Sequence, residues 1–198
     1  MPCTAFIGLS NKLNMGNGKT ATLTRFLIED WKNGYTIFSN YSLFGIPYVK
    51  VNSFQELISL LPKFKNSAIG VDELQVWWDC YSTPNKKDGT KDFKNFARQV
   101  RKRNVQLYYT AQCFSDIPNA LRKITQNIYM VSKYHNDGSL CTLERCFNEH
   151  WVQICPIYPN KSGYDIGNPI YYKLDTRIFD MYDTNEIIGF NNACEYTV

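Results

Sequence analysis

Apolar and polar positions change period several times along this chain, and the order of the changes predicts strands alternating with helices. Residues 4–8 form a short apolar run of strand length that leads into a glycine-bearing turn. From there Leu23, Phe26, Leu27 and Trp31 recur at helical spacing and stop at Asn33 and Gly34, a good helix terminator. Residues 35–39 read as a second strand and residues 48–51 as a short extended piece. Ser53, with Glu56 three residues on, is a capping-box signature for a helix carrying Phe54, Leu57, Ile58 and Leu61 and ending at Pro62. Residues 67–71 are a strand. After a polar loop over 82–90, Phe93, Phe96, Ala97 and Val100 mark the buried stripe of another helix. Residues 105–112 are a strand, 116–124 a short helix and 127–132 a further strand. Asn136, Asp137 and Gly138 signal a hairpin between residues 129–131 and 140–143. Residues 151–154 and 170–172 are β-type runs, so the last third reads as mostly antiparallel.

Groups suited to a phosphate stand at the ends of three of these strands. After strand 4–8 the loop carries Asn14, Gly16, Asn17 and Gly18 and delivers Lys19, Thr20 and Ala21 where the first helix begins. Strand, glycine-bearing turn, Gly-Lys-Thr and helix is the order a phosphate-binding loop requires, because unpaired backbone N–H groups and the positive end of the helix dipole favour phosphate oxygens. Lys19 would reach the β- and γ-phosphates, and the Thr20 hydroxyl would ligate Mg²⁺. In the usual G-x-x-x-x-G-K-T spacing a glycine falls at position 13. Here Leu13 stands there and Gly8 lies five residues further upstream, so the loop is longer than standard.

Strand 67–71 runs into Asp72 and Glu73, where a nucleotide-hydrolysing protein places its second motif: Asp72 to hold Mg²⁺ through water, Glu73 to act as general base on the attacking water. Strand 105–112 ends in Gln112, placed for a γ-phosphate or the lytic water. Taken singly, each has a plainer reading: a flexible turn, solvated strand-end acids, a strand-end amide.

Composition narrows the setting. At 198 residues and 44% hydrophobic, the chain can bury a sizeable core, and nothing demands more than one domain. The net charge is +4, yet residues 86–103 hold eight basic residues against Asp88 and Asp92, a local +6 that leaves the remainder at −2. A flank so nearly all positive calls for a partner such as a DNA backbone or a neighbouring subunit's triphosphate. Seven cysteines without a C-x-x-C pair read as reduced thiols, and His135 and His150 as surface or loop residues. With no signal-like start and no run of membrane-span length, the expectation is a soluble, cytoplasmic protein without stable membrane insertion.

Taken together, the Gly-Asn-Gly-Lys-Thr loop, the strand ending Val71, Asp72, Glu73, the basic stretch 96–103 and the run Tyr109, Thr110, Ala111, Gln112 resemble the FtsK/HerA branch of P-loop ATPases. Within it the chain is most similar to compact viral DNA-packaging ATPases and Zot-like proteins, over about residues 4–133 and weakly at residues 179–187. The resemblance implies an α/β, RecA-like (ASCE) sheet, mainly parallel, flanked by helices and with an extra strand between the loop strand and the strand of Asp72, the antiparallel strands extending it. It implies one ATPase domain over residues 1–198, with a motif-bearing core to about 133 and a β-rich extension from about 134. It implies ATP and Mg²⁺ as cofactors, a homo-oligomeric ring of five or six subunits, movement of double-stranded DNA, and a host cytoplasm as the setting, with a capsid or membrane-associated virion protein as a further partner. By the same resemblance Lys19 and Thr20 bind phosphate and Mg²⁺, Asp72 coordinates the metal, Glu73 is the base, Gln112 senses the γ-phosphate, and one of Arg98, Arg101 and Arg103 acts in trans on the neighbour's ATP.

Two other readings stay open at this point. One is a Zot-like ATPase that drives virion assembly or extrusion at a membrane. The other is a small-molecule kinase, since a phosphate loop alone does not choose the phosphoryl acceptor.

Overall fold

The structure, a computed structural model, describes residues 3–8, 18–77, 95–96, 99–100, 102–113, 117, 119–134, 151–160, 164–173, 175–183 and 186. In chain order these form β1 (Cys3–Gly8), α1 (Lys19–Lys32), β2 (Thr36–Ser39), β3 (Val49–Lys50), α2 (Phe54–Ser59) with a 3-10 turn at Leu61–Lys63, β4 (Ser67–Val71), α3 (Leu74–Trp77), β5 (Val105–Ala111), α4 (Asn119–Arg122), β6 (Asn127–Tyr134), β7 (Trp151–Pro159), β8 (Tyr164–Ile166), β9 (Ile170–Lys173) and a 3-10 turn at Thr176–Met181.

The strands make one sheet in the order β3-β2-β4-β5-β1-β6-β7-β8, with β9 also on β7. From β3 to β6 every pairing is parallel, and beyond β6 every pairing is antiparallel. Strand β5 lies between β1 and β4, which is the extra strand implied by the resemblance. Parallel neighbours put all the strand ends of like polarity on one side, and ligands in open α/β sheets bind at the carboxyl ends.

Alternation along the strands sorts the core into two layers. Ala5 and Ile7 of β1, Ile69 and Val71 of β4, and Leu107 and Tyr109 of β5 pack with Leu57 of α2, Phe96, Val100 and Leu121. Phe6, Ala68 and Tyr108 point the other way, against Ala21, Leu23 and Leu27 of α1. A continuous apolar strand is what a parallel sheet covered on both faces needs. Helix α1 sits close to β4 because Gly70 lacks a side chain: a Cβ there would meet Leu27 Cδ1 at 2.5 Å. The α2 cap forms as its sequence predicts, Ser53 Oγ accepting from the Glu56 N–H at 3.1 Å while the Glu56 carboxylate accepts from the Asn52 N–H at 2.7 Å.

Two local expectations need correction. Trp31 is not part of the buried stripe of α1; in the last turn it is 37% exposed and lines an open groove with Tyr35, Pro47 and Tyr48. The antiparallel partner of residues 129–131 is 154–156, not 140–143, because β6 already has β1 on its other edge. The turn signal at 136–138 and residues 140–143 lie outside the described residues, as do His135 and His150.

The C-terminal segment returns across the sheet. Phe44 N–H donates to Met181 C=O at 2.9 Å, Leu43 bridges Tyr182, and Glu186 accepts from the Lys50 ammonium and from the Ser42 N–H at 2.5 Å. Among the described residues no helix is long and apolar enough to cross a membrane.

Candidate functional site: four strand ends around Lys19

Helix α1 begins at Gly18, whose φ of 84° is left-handed backbone that glycine adopts without steric cost. The first turn is then fixed from the side. Thr22, fully buried, donates its hydroxyl proton to Gly18 C=O at 2.8 Å, which leaves the Tyr172 hydroxyl to donate to Thr22 at 2.7 Å. Strand β9 of the extension thereby braces the turn that presents Lys19 and Thr20. Ala21 contributes its side chain to the core.

Lys19 and Thr20 point at the ends of β4 and β5. The Lys19 ammonium donates to Gln112 Oε1 at 3.2 Å, and Gln112 Nε2 faces Glu73 Oε1 at 3.4 Å, so the amide stands between a cation and an acid. Thr20 Oγ1 donates to Asp72 Oδ2 at 3.0 Å. The five groups predicted from three strand ends therefore meet in one place.

Asp72 is held at every polar atom. Asn40, just past the end of β2, accepts from the Asp72 N–H at 2.7 Å and donates to its C=O at 2.8 Å. Thr110 donates to Oδ1 at 2.5 Å, and Thr20 to Oδ2. Thr110 Oγ1 also accepts from the Glu73 N–H at 2.8 Å. Glu73 has φ of 47°, a left-handed conformation costing a non-glycine residue about 1–3 kcal/mol unless its surroundings enforce it.

The electrostatics are those of a buried cation beside two acids. Lys19 and Asp72 are only 8% and 6% exposed. Burial lowers the Lys19 pKa below the ordinary lysine value, with Asp72 and Glu73 pulling it back up. Burial raises the Asp72 carboxyl, with Thr110 and Thr20 opposing through hydrogen bonds, Glu73 adding to the rise and Lys19 resisting it.

The donor set fits a hard cation. A threonine hydroxyl and a buried carboxylate 3.0 Å apart suit Mg²⁺, which takes one or two protein oxygens and completes its shell with phosphate oxygens and water. Among the described residues no cluster of three or more His, Cys, Asp and Glu could hold a metal ion.

Asn14, Gly16, Asn17, Arg98 and Arg101 lie outside the described residues. Arg103 precedes the amino end of β5, whereas Gln112 follows its carboxyl end; on the order of 20 Å of strand separates them, and Arg103 NH1 donates to Pro62 C=O at 3.4 Å. It is thus out of reach of Lys19 in its own chain. Asn40 and Thr110 escaped the sequence reading. For Asn40 the signal was a polar residue at the end of a fourth strand.

A parallel sheet of this order, with a lysine-bearing helix start after β1 and adjacent acids at the end of β4, has the RecA-like fold of P-loop NTPases. The solved structures it matches share that fold. The N-terminal domain of zonular occludens toxin from Neisseria meningitidis superposes with a TM-score of 0.61 at 17% identity, covering 92% of this chain and 100% of that domain. The genome packaging NTPase B204 from Sulfolobus turreted icosahedral virus 2, in complex with ATP-gammaS, gives 0.54 at 11% identity over 85% of this chain and 98% of that one; its AMP complex gives 0.52 at 13% identity over the same shares. No protein-family model matches the chain, and no curated protein matches it.

Proposed function

We propose that this protein is a Mg²⁺-dependent ATPase that moves double-stranded DNA, acting as the packaging motor of a viral genome. The observation that carries the proposal is the meeting of Lys19, Thr20, Asp72, Glu73 and Gln112 at the strand ends. Support for the fold comes from the likeness to B204, which is a genome packaging NTPase bound to a nucleotide analogue.

In this reading the buried Lys19 ammonium neutralises the β- and γ-phosphates. Thr20 and Asp72 would hold Mg²⁺, which would supply positive charge against the developing negative charge of the phosphoryl group. Glu73 accepts a proton from water as the water oxygen bonds to the γ-phosphorus and the bond to the ADP oxygen breaks. Gln112, touching both Lys19 and Glu73, reports on the terminal phosphate to both. The 1–198 chain acts as one ATPase unit in a homo-oligomeric ring of five or six subunits in the host cytoplasm, and one of Arg98, Arg101 and Arg103 serves the neighbouring subunit's ATP. For Arg103, only the trans role is proposed, since it lies at the far end of β5 from Gln112 in its own chain.

The test is phosphate release from ATP with no acceptor but water, with and without duplex DNA, across protein concentrations. Mg²⁺-dependent release that rises with concentration and with DNA supports the motor. A requirement for an added hydroxyl acceptor would make the protein a kinase.

The likeness to the zonular occludens toxin domain, which extends over the whole of that domain, favours a second reading: an ATPase for virion assembly at a membrane. Salt-sensitive DNA binding supports the motor, and co-sedimentation with membranes without DNA binding supports assembly.

A further inference from the structure

We infer that Thr110 is the positioning residue that sets the metal-holding carboxylate of Asp72 and the backbone of Glu73 with a single hydroxyl; this rests on the ATPase reading of the site. The placement follows from register. Gly70 pairs with Tyr108 and Val71 with Tyr109, so when β4 ends, the next residue of β5 is level with Asp72. Strand β5 runs on past that point, and Thr110 is its overhanging residue on the face of α1, the face from which Thr20 approaches.

A hydroxyl has one proton and two lone pairs. Thr110 gives the proton to Asp72 Oδ1 at 2.5 Å and uses a lone pair on the Glu73 N–H at 2.8 Å. The first bond turns the carboxylate so that Oδ2 faces Thr20. The second holds Glu73 in left-handed backbone, which aims its side chain toward Gln112. Both bonds are formed where water does not enter, since Thr110 is fully buried. The other hydrogen bonds to Asp72 fall on different atoms: Asn40 occupies its backbone and Thr20 the other carboxylate oxygen. The two acids are thus one unit, locked from β5.

The test uses Thr110→Val, which keeps the shape and removes both hydrogen bonds, Thr110→Ser, which keeps both, and Thr110→Ala as a second removal. Two quantities are read in the full chain: phosphate release, split into kcat and KM, and the affinity for a fluorescent ATP analogue with Mg²⁺ and with EDTA. Thr110→Val is expected to lower kcat at least tenfold and to lose most of the affinity gained from Mg²⁺, with metal-free affinity within about threefold of wild type. Thr110→Ser should restore both. If Thr110→Val does not fold, the contrast between Ser and Ala carries the same reading. Wild-type kcat and wild-type Mg²⁺ gain in the folded Val or Ala variant overturn the inference, and so does a Ser variant as impaired as Ala. Wild-type protein that binds no nucleotide overturns the ATPase reading and this inference together. Wild-type protein that binds but does not turn over fails the ATPase reading, and the Mg²⁺ gain then decides the role of Thr110.

Discussion

Asn40 holds Asp72 by its main chain, taking the N–H at 2.7 Å and giving to the C=O at 2.8 Å with the two ends of one amide. The pairing continues the sheet by side chain where β2 and β4 have stopped, and it carries the end of β4 at a fixed height beside α1. Asn40→Ala would leave a buried donor and a buried acceptor without protein partners. The expected loss is about 2–4 kcal/mol in urea unfolding, with a fall in turnover. Unchanged stability would show that Asp72 is held by the other contacts alone.

Lys19 is buried beside two acids and an amide. Its charge is tolerated there because Asp72 and Glu73 attract it, and in the proposed function it is the group that meets the phosphates. Lys19→Ala is expected to weaken nucleotide binding at least tenfold and to bring phosphate release below one hundredth of wild type. Titration with a fluorescent ATP analogue measures the first, and a phosphate assay the second.

Asp72 gives a pH signature in metal-free, nucleotide-free protein. Its carboxyl is raised above the ordinary 3.8 by burial. Below 3.8 the group is protonated in both folded and unfolded chains. Between 3.8 and the raised folded value only the unfolded chain is ionised, so stability from this group falls by about 1.4 kcal/mol per pH unit as pH rises, then levels off. Asp72→Asn removes that titration, and with it one of the two acids beside Lys19 and one of the two oxygens to which Thr110 and Thr20 donate. The fall in stability as pH rises from 3.8 to the folded value is therefore expected in wild type and reduced in the variant. Added Mg²⁺ and ATP should stabilise wild type and not the variant. Calorimetry across pH checks both, and a variant whose stability falls with pH as steeply as that of wild type would contradict the account.

Gly70 and Leu27 are coupled by contact. A Cβ at 70 would sit 2.5 Å from Leu27 Cδ1, where both are packed into the layer between α1 and the sheet. Gly70→Ala is expected to cost about 1–3 kcal/mol by overpacking and Leu27→Ala about 2–5 kcal/mol by cavity formation. The double variant should lose less than the two together, because the added methyl enters the space the leucine leaves. Strict additivity in denaturant unfolding would place the strain elsewhere.

The parallel half of the sheet was legible because each buried strand is a short apolar run closed by a polar residue, as Val71 is followed by Asp72 and Ala111 by Gln112. Helix α1 was legible from Leu23 and Leu27. The antiparallel extension was legible too, from residues 151–154 and 170–172, but its pairing was not, because distant pairing leaves no local trace: the turn signal near 137 suggested residues 140–143 as the partner of 129–131, whereas residues 154–156 take that edge. At the site, Lys19, Thr20, Asp72, Glu73 and Gln112 stood out because they fall in the order that a phosphate loop and two later strand ends require. Asn40 and Thr110 belong to neither motif, and what they face shows only in the register of the neighbouring strands. Tyr172, on the last strand of the extension, likewise gave no sign that it braces the turn before Lys19.

The central claim is that Glu73, held beside Gln112 and Asp72, activates water against a nucleotide anchored at Lys19. Glu73→Gln removes the base and keeps the shape. The most direct measurement is phosphate release by this variant alongside its ATP affinity with Mg²⁺. The account predicts affinity within about threefold of wild type and release at least a hundredfold slower. Release at the wild-type rate with binding intact would contradict it.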